Sequence, residues 1–253
     1  MRAILLCGQA GSGKDTIASM IENALPGRVR RLALADPLKE FAKAVFLFSD
    51  LQLWGPSEAR NEIDVRGADL RYWDSCRERL WNVGREFVRE WVEACGTSPR
   101  GTGHAVLEWF EALTPYPFEP GRGVDASARV KLFSPRHVLQ TLGTDYGRRV
   151  FGPDVWARIA LRRAAREEIA VITDGRFPNE VDAFTTAGAK IVRVVDHTAP
   201  EATGAIHGHP SERGLLGINP GKFHAWIVND KTQGYEPLRV RVLEVLEGFG
   251  WIE

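Results

Sequence analysis

The sequence has no net charge, since 33 Lys plus Arg balance 33 Asp plus Glu over 253 residues. Such a balance offers no overall field to nucleic acid or to an acidic membrane, and leaves only local patches to attract anions. Cysteine is scarce. Cys7, Cys76 and Cys95 are odd in number and lack C-x-x-C spacing, so neither a disulfide framework nor a zinc site is indicated. No apolar stretch is long enough to span a bilayer, and there are no internal repeats or low-complexity tracts. The chain opens directly on the apolar run Ala3 to Cys7, which with the scattered thiols predicts a soluble protein of a reducing cytoplasm. Lysine is the rarer base, 7 against 26 arginines. Two explanations fit this bias equally: GC-rich codons, or bidentate contacts to phosphate and carboxylate.

The length suits one α/β core with a sizeable insertion. Ala3 to Cys7 reads as a short buried strand, and Asp15 to Leu25 follows with helical spacing at Ile17, Met20, Ile21 and Leu25. Val29 to Leu34 reads as a second strand. A helix then starts with Asp36 as N-cap and Pro37 in its first turn. From about 53 to 130 the alternation stops: two amphipathic segments, Ser75 to Ala94 and Ala105 to Leu113, are joined by the Gly- and Pro-rich loops "CGTSPRGTG" and "TPYPFEPGRG". The α/β order resumes afterwards, so a single domain spanning 1–253 with a helical insertion is expected. Ser134 and Pro135 open a helix through Tyr146, and Pro153 opens another through Glu168. The remaining strands are Ile169 to Thr173, Ala189 to Val195 and His224 to Asp230. Helices are expected from Pro178 to Ala187 and from Leu238 to Leu246.

The string "GQAGSGKDT" holds Gly8, Gly11, Ser12, Gly13 and Lys14 in the spacing of a phosphate-binding loop, placed between a strand and a helix as that motif requires. Its glycines let backbone N–H groups face the β- and γ-phosphates, the helix adds its positive end, and Lys14 adds a point charge. Asp15 stands where Ser or Thr is usual. Either it reaches a Mg²⁺ lying between it and the phosphates, with Thr16 as the alternative hydroxyl ligand, or it is a favourable first-turn carboxylate. Asp174 ends an apolar strand, where a second magnesium-organising carboxylate is expected; the competing reading is a helix cap, with Arg176 paired to Glu180. Arg136 and Gln140 lie one turn apart, suited to a phosphate and a base edge or to a solvated helix face. Arg148 and Arg149 extend the positive stretch. His207 and His209 read as loop histidines, since no partner ligands complete a metal site.

Taken in order, GKDT (Gly13 to Thr16), ADPLKE (Ala35 to Glu40), RHVLQTLGTDYGR (Arg136 to Arg148), TDGRFPNE (Thr173 to Glu180), HPSE (His209 to Glu212) and VND (Val228 to Asp230) resemble the bacteriophage deoxynucleoside monophosphate kinase family. The GKD variant is part of that family's pattern. The resemblance implies a three-layer P-loop NTPase fold with a mostly parallel central sheet, and transfer of the γ-phosphoryl group of ATP to a dNMP with Mg²⁺. It places Lys14 and Thr16 at the ATP phosphates, and Asn229 and Asp230 near the adenine. Lys39, Arg136, Gln140, Thr144, Asp145 and Glu212 fall on the acceptor side, with Arg176 joining Lys14 and Asp174 in catalysis. "NDKTQGYEPL" delays the glycine usual in the adenine loop, and the 53–130 stretch also departs from the pattern. Two other readings share the loop: a kinase acting on hydroxymethylated pyrimidine within DNA, and a non-catalytic nucleotide-binding protein. A homodimer is compatible with the resemblance, and the accepted base is not fixed by these motifs.

Overall fold

The computed structural model describes residues 1–9, 11–96, 101–114, 133–197 and 214–252. The chain divides into two compact units, Met1–Leu34 with Trp156–Glu253, and Ala35–Val155. The helical unit therefore starts at Ala35 and extends on both sides of the 53–130 stretch.

In the first unit, five strands form one sheet in the order β2-β3-β1-β4-β5: β1 Ala3–Cys7, β2 Val29–Leu32, β3 Ile169–Gly175, β4 Lys190–Asp196 and β5 Ala225–Asn229. All four pairings are parallel. Every residue of β1 is fully buried, as the apolar run requires, because a central parallel strand is covered on both faces. One face is sealed by α1 (Lys14–Ala24), through Ile17, Ala18 and Ile21, and by α11 (Glu236–Gly248), through Leu238, Val242, Val245 and Leu246. α9 (Val155–Ala164) and α10 (Pro178–Thr186) complete the set. β2 ends two residues short of the expected Leu34, because the Leu34 amide donates to the Asp174 carboxylate at 2.7 Å instead of continuing the ladder.

The second unit is helical: α2 Asp36–Phe46, α3 Asp50–Trp54, α4 Ser57–Asn61, α5 Leu70–Arg79, α6 Arg85–Cys95, α7 Thr102–Leu113 and α8 Pro135–Thr141. Its core is aromatic, with Phe41, Phe46, Trp73, Trp91, Trp109, Phe110, Phe133 and Tyr146 all buried and, for example, the Trp73 and Phe133 rings 4.8 Å apart. Several boundaries differ from expectation. Ala35, already helical at φ −83° and ψ −8°, is the N-cap of α2, so Asp36 is a first-turn carboxylate facing the positive helix end. α5 begins five residues before Ser75, because Asp69 caps it by accepting from the Arg71 amide. α7 begins at Thr102, inside the string expected as loop, and α9 begins at Val155 rather than Pro153. The helix opened by Pro135 does not stay regular to Tyr146. It widens into a π segment, Leu142–Arg148, before Arg149–Phe151 resume the α form. A second π segment, Leu80–Gly84, joins α5 to α6. Residues 115–132, which include most of "TPYPFEPGRG", and His207, His209 and Glu212 lie outside the described residues.

Candidate active site

The turn after β1 is built by two close approaches. A Cβ on Gly8 would lie 2.7 Å from the Val194 carbonyl oxygen of β4, and one on Gly13 would lie 2.3 Å from Asn229 Nδ2 at the end of β5. Gly11 and Gly13 also hold positive φ, 76° and 94°, which L side chains rarely adopt. Gly13 is the N-cap of α1, so the loop delivers its backbone directly onto the positive helix end. Asn229 is buried and donates from Nδ2 to the Ser12 carbonyl at 3.0 Å, tying the last strand to the loop across 217 residues of sequence. No local signal announces that contact; only the sheet order brings the two together.

Lys14 is nearly buried. Its ammonium donates to the carbonyls of Gly8 (2.8 Å) and Gln9 (2.6 Å) and to Ser12 Oγ at 3.4 Å. Burial, and after it the Arg176 guanidinium, pushes Lys14 down to about 8, opposed by Asp15 and Asp174. Asp15, Asp174 and Arg176 thus all act electrostatically on Lys14. Asp15 is exposed and Thr16 half-buried on the first turn of α1. Asp174 Oδ1 takes the Leu34 amide. Glu180 Oε2 accepts from the Arg176 and Phe177 amides at 2.8 and 3.0 Å, so the carboxylate of α10 shapes the turn that carries Arg176. Beside the loop, Cys7 is pushed up to about 12, first by burial and then by Glu180, so it is an inert thiol.

Asp230 caps a short 3₁₀ turn, Lys231–Gln233, by accepting from the Thr232 amide and hydroxyl and from Gln233 Nε2; these bonds hold its carboxyl below the usual range. The residues that delay the glycine in "NDKTQGYEPL" form this turn, and Gly234 follows at φ 76°. A cleft of about 300 Å³ opens beside it, lined by His197, Val228, Asp230, Gln233, Pro237 and Leu238.

The acceptor-side residues lie in the 35–155 unit. Lys39 on α2 has its ammonium 5.5 Å from the Trp54 ring. On α8, capped by Ser134 accepting from the His137 amide, Arg136 is half-buried and Gln140 exposed. Arg136 Nη2 donates to Ser57 Oγ at 3.2 Å. Thr144 and Asp145 are exposed on the π segment, whose inward side is Leu142, Gly143, Tyr146 and Gly147. Tyr146 pins that segment, its hydroxyl donating to the Thr102 carbonyl at 3.0 Å.

Among the described residues no group of three or more His, Cys, Asp or Glu forms a ready metal cage. Magnesium, which is held through one or two carboxylates plus phosphate and water oxygens, does not require one. The hard oxygen donors Asp15, Thr16 and Asp174 fit that chemistry. No helix in the described residues is long and apolar enough to cross a membrane.

A parallel sheet with β1 at its centre, followed by a lysine-bearing glycine turn at a helix N-terminus, is an α/β architecture consistent with a P-loop kinase-like fold. A family model described as deoxynucleotide monophosphate kinase matches residues 124–235. The deoxynucleoside-5′-monophosphate kinase of Escherichia phage T5 is 28% identical over 258 residues, which cover 94% of this chain and 92% of that protein. A putative deoxynucleotide monophosphate kinase of Acanthamoeba polyphaga mimivirus is 37% identical over 95 residues, 37% of this chain and 45% of that protein. The chain is thus similar to deoxynucleotide monophosphate kinases, through the family model over residues 124–235 and through the phage T5 enzyme over most of its length.

Proposed function

We propose that the protein transfers the γ-phosphoryl group of ATP to a deoxynucleoside 5′-monophosphate, giving the diphosphate, in the host cytoplasm. The observation that carries the donor side is the loop itself: two left-handed glycines, a buried ammonium and a helix N-terminus in one turn. Lys14 is assigned to the β- and γ-phosphates. Bound phosphate would replace the Gly8 and Gln9 carbonyls as its partner and stabilise the charged ammonium. Asp15, Thr16 and Asp174 would hold Mg²⁺, which supplies charge neutralisation at the phosphates when bound. Arg176 is assigned to the charge that spreads over the transferring oxygens. The cleft beside Asp230 is assigned to the adenine, with Asn229 acting as the clamp that shapes the loop. Lys39, Arg136, Gln140, Thr144 and Asp145 are assigned to the acceptor. The acceptor is already a phosphate oxygen, so no general base is needed. ADP release measured across the four common dNMPs, base-modified dNMPs and hydroxymethylpyrimidine DNA tests this. Release that depends on a free dNMP is expected, and release that depends only on DNA would overturn it.

A further inference from the structure

Two clefts in the 35–155 unit meet at the same pair of side chains. The first, about 370 Å³, lies among the π segment Leu80–Gly84, α6 and α7, with Leu80, Val88, Val92, Val106 and Leu107 in its wall. Trp81 lines it too and keeps 46% of its surface exposed. The second, about 380 Å³, is lined by Asn82, Arg85, Glu86 and Arg89. Arg85 and Arg89 line both. They stand four residues apart on α6, so they share one helix face, and both are exposed. Neither forms an ion pair or a side-chain hydrogen bond among the described residues. A long arginine side chain serves two such clefts at once, its methylenes against the apolar wall and its charged head in the polar space.

The chemistry of the walls selects the occupant. Water against so much apolar surface is a standing cost that a hydrocarbon body would remove, and a cleft of about 300–1,000 Å³ with an apolar lining and a few polar groups is the usual form of a small-molecule site. Apart from the two arginines and the Trp81 N–H, the described lining of the first cleft offers one polar side chain, the Thr102 hydroxyl. A nucleobase there would be buried with most of its donors and acceptors unanswered. In the second cleft, two guanidinium groups against the Glu86 carboxylate leave one net positive charge, which matches a monoanion rather than a dianion. We infer that the joined clefts bind a monocarboxylate with an unbranched hydrocarbon chain, the chain between α6 and α7 and the carboxylate between Arg85 and Arg89. This site is separate from the residues assigned to donor and acceptor, and it does not depend on the function proposed above.

Calorimetric titration of the whole protein with decanoate, decanol and decyltrimethylammonium tests the site. Saturable decanoate binding is expected, about 10-fold or more tighter than decanol, with no binding of the cation. Arg85→Gln and Arg89→Gln, which remove the charge and keep part of the stem, should each weaken decanoate about 3- to 10-fold and leave decanol within about twofold. The double variant should bind decanoate and decanol alike. Gly103 lines the apolar cleft in the first turn of α7, and a Cβ there meets nothing within 4 Å. Gly103→Leu should therefore fill the cleft and abolish decanoate and decanol binding together, while replacing a helical glycine by a better helix former. The glutamine variants, at exposed positions, carry the test if Gly103→Leu does not fold. No saturable decanoate binding at millimolar concentration, decanol binding as tight as decanoate, decanoate affinity unmoved in the double glutamine variant, or decanoate affinity unmoved in Gly103→Leu would each overturn the site. Decyl phosphate, a dianion at about pH 8, should bind no more tightly than decanoate; tighter binding would overturn the assignment to a monoanion.

Discussion

At the scale of single residues, Lys14 has the most exposed chemistry. A lysine pushed down to about 8 in the ligand-free protein is an ammonium at neutral pH and an amine well above it. A triphosphate favours the ammonium, so its binding must take up a proton at high pH. ATP affinity is therefore expected to hold steady to about pH 8 and then to weaken by up to about tenfold per pH unit. Calorimetric titrations across that range check this; a flat profile in the parent protein would remove Lys14 from the phosphates. Lys14→Ala should flatten the profile and lower kcat by at least about 100-fold. It should not lower the unfolding midpoint, because the depressed value means that the fold disfavours this charge.

The glycine turn and its clamp act at the scale of elements. Gly13→Ala meets two obstacles, a positive φ of 94° and Asn229 Nδ2 at 2.3 Å from the new Cβ. The variant should lose about 1–3 kcal/mol of stability and most of its nucleotide affinity. Asn229→Ala alone should cost about 1 kcal/mol and loosen ATP binding, since the Ser12 carbonyl loses its donor. Combining the two should recover part of the Gly13→Ala loss, because the clash is relieved and the strained φ is not. Chemical denaturation of the three variants measures this, and strict additivity would mean that the two residues do not meet. In the helical unit, Asp64 joins the Arg66 fork (Nε to Oδ1, 2.9 Å) to Gln52 of α3 (3.1 Å). Burial pushes its carboxyl up, but the bonds from Arg66 and Gln52 outweigh that and hold it below the usual range. A carboxyl depressed in the fold stabilises above its unfolded value of about 3.9 and stops doing so as the pH falls through its folded value. The parent should therefore lose stability below about pH 4 more steeply than Asp64→Asn, which should already be about 1–3 kcal/mol weaker at neutral pH. Urea midpoints against pH decide the matter, and parallel curves would exclude the linkage.

For the whole molecule, the even count of 33 basic and 33 acidic residues predicts weak attraction to polynucleotides. Fluorescence anisotropy with hydroxymethylpyrimidine DNA at about 0.15 M salt should show no binding at micromolar protein, roughly the affinity limit of non-specific complexes. Tight binding under those conditions would favour DNA as the acceptor.

The β1 strand, the glycine turn and α1 were legible because their information is local. Five apolar residues, three glycines and a 3.6-residue repeat fall within 25 positions, and backbone sterics alone translate them into strand, turn and helix. The parallel strands were legible for the same reason, as short apolar runs alternating with helical spacing. Element ends were less so, because they depend on partners distant in sequence: β2 stops where Asp174 takes the Leu34 amide. The π segment at Leu142–Arg148 escaped because widening a turn changes the repeat on which helical pattern reading relies. The same division governs the site. Sequence by itself determined the glycine turn after β1, its lysine and the order of the motifs around it, since each is a contiguous string with its own stereochemistry. Only the tertiary structure decided that Asn229 clamps Ser12 and that Arg136 reaches the Ser57 hydroxyl. Contacts between side chains far apart in the chain are set by strand order and helix packing, which no local pattern of residues encodes.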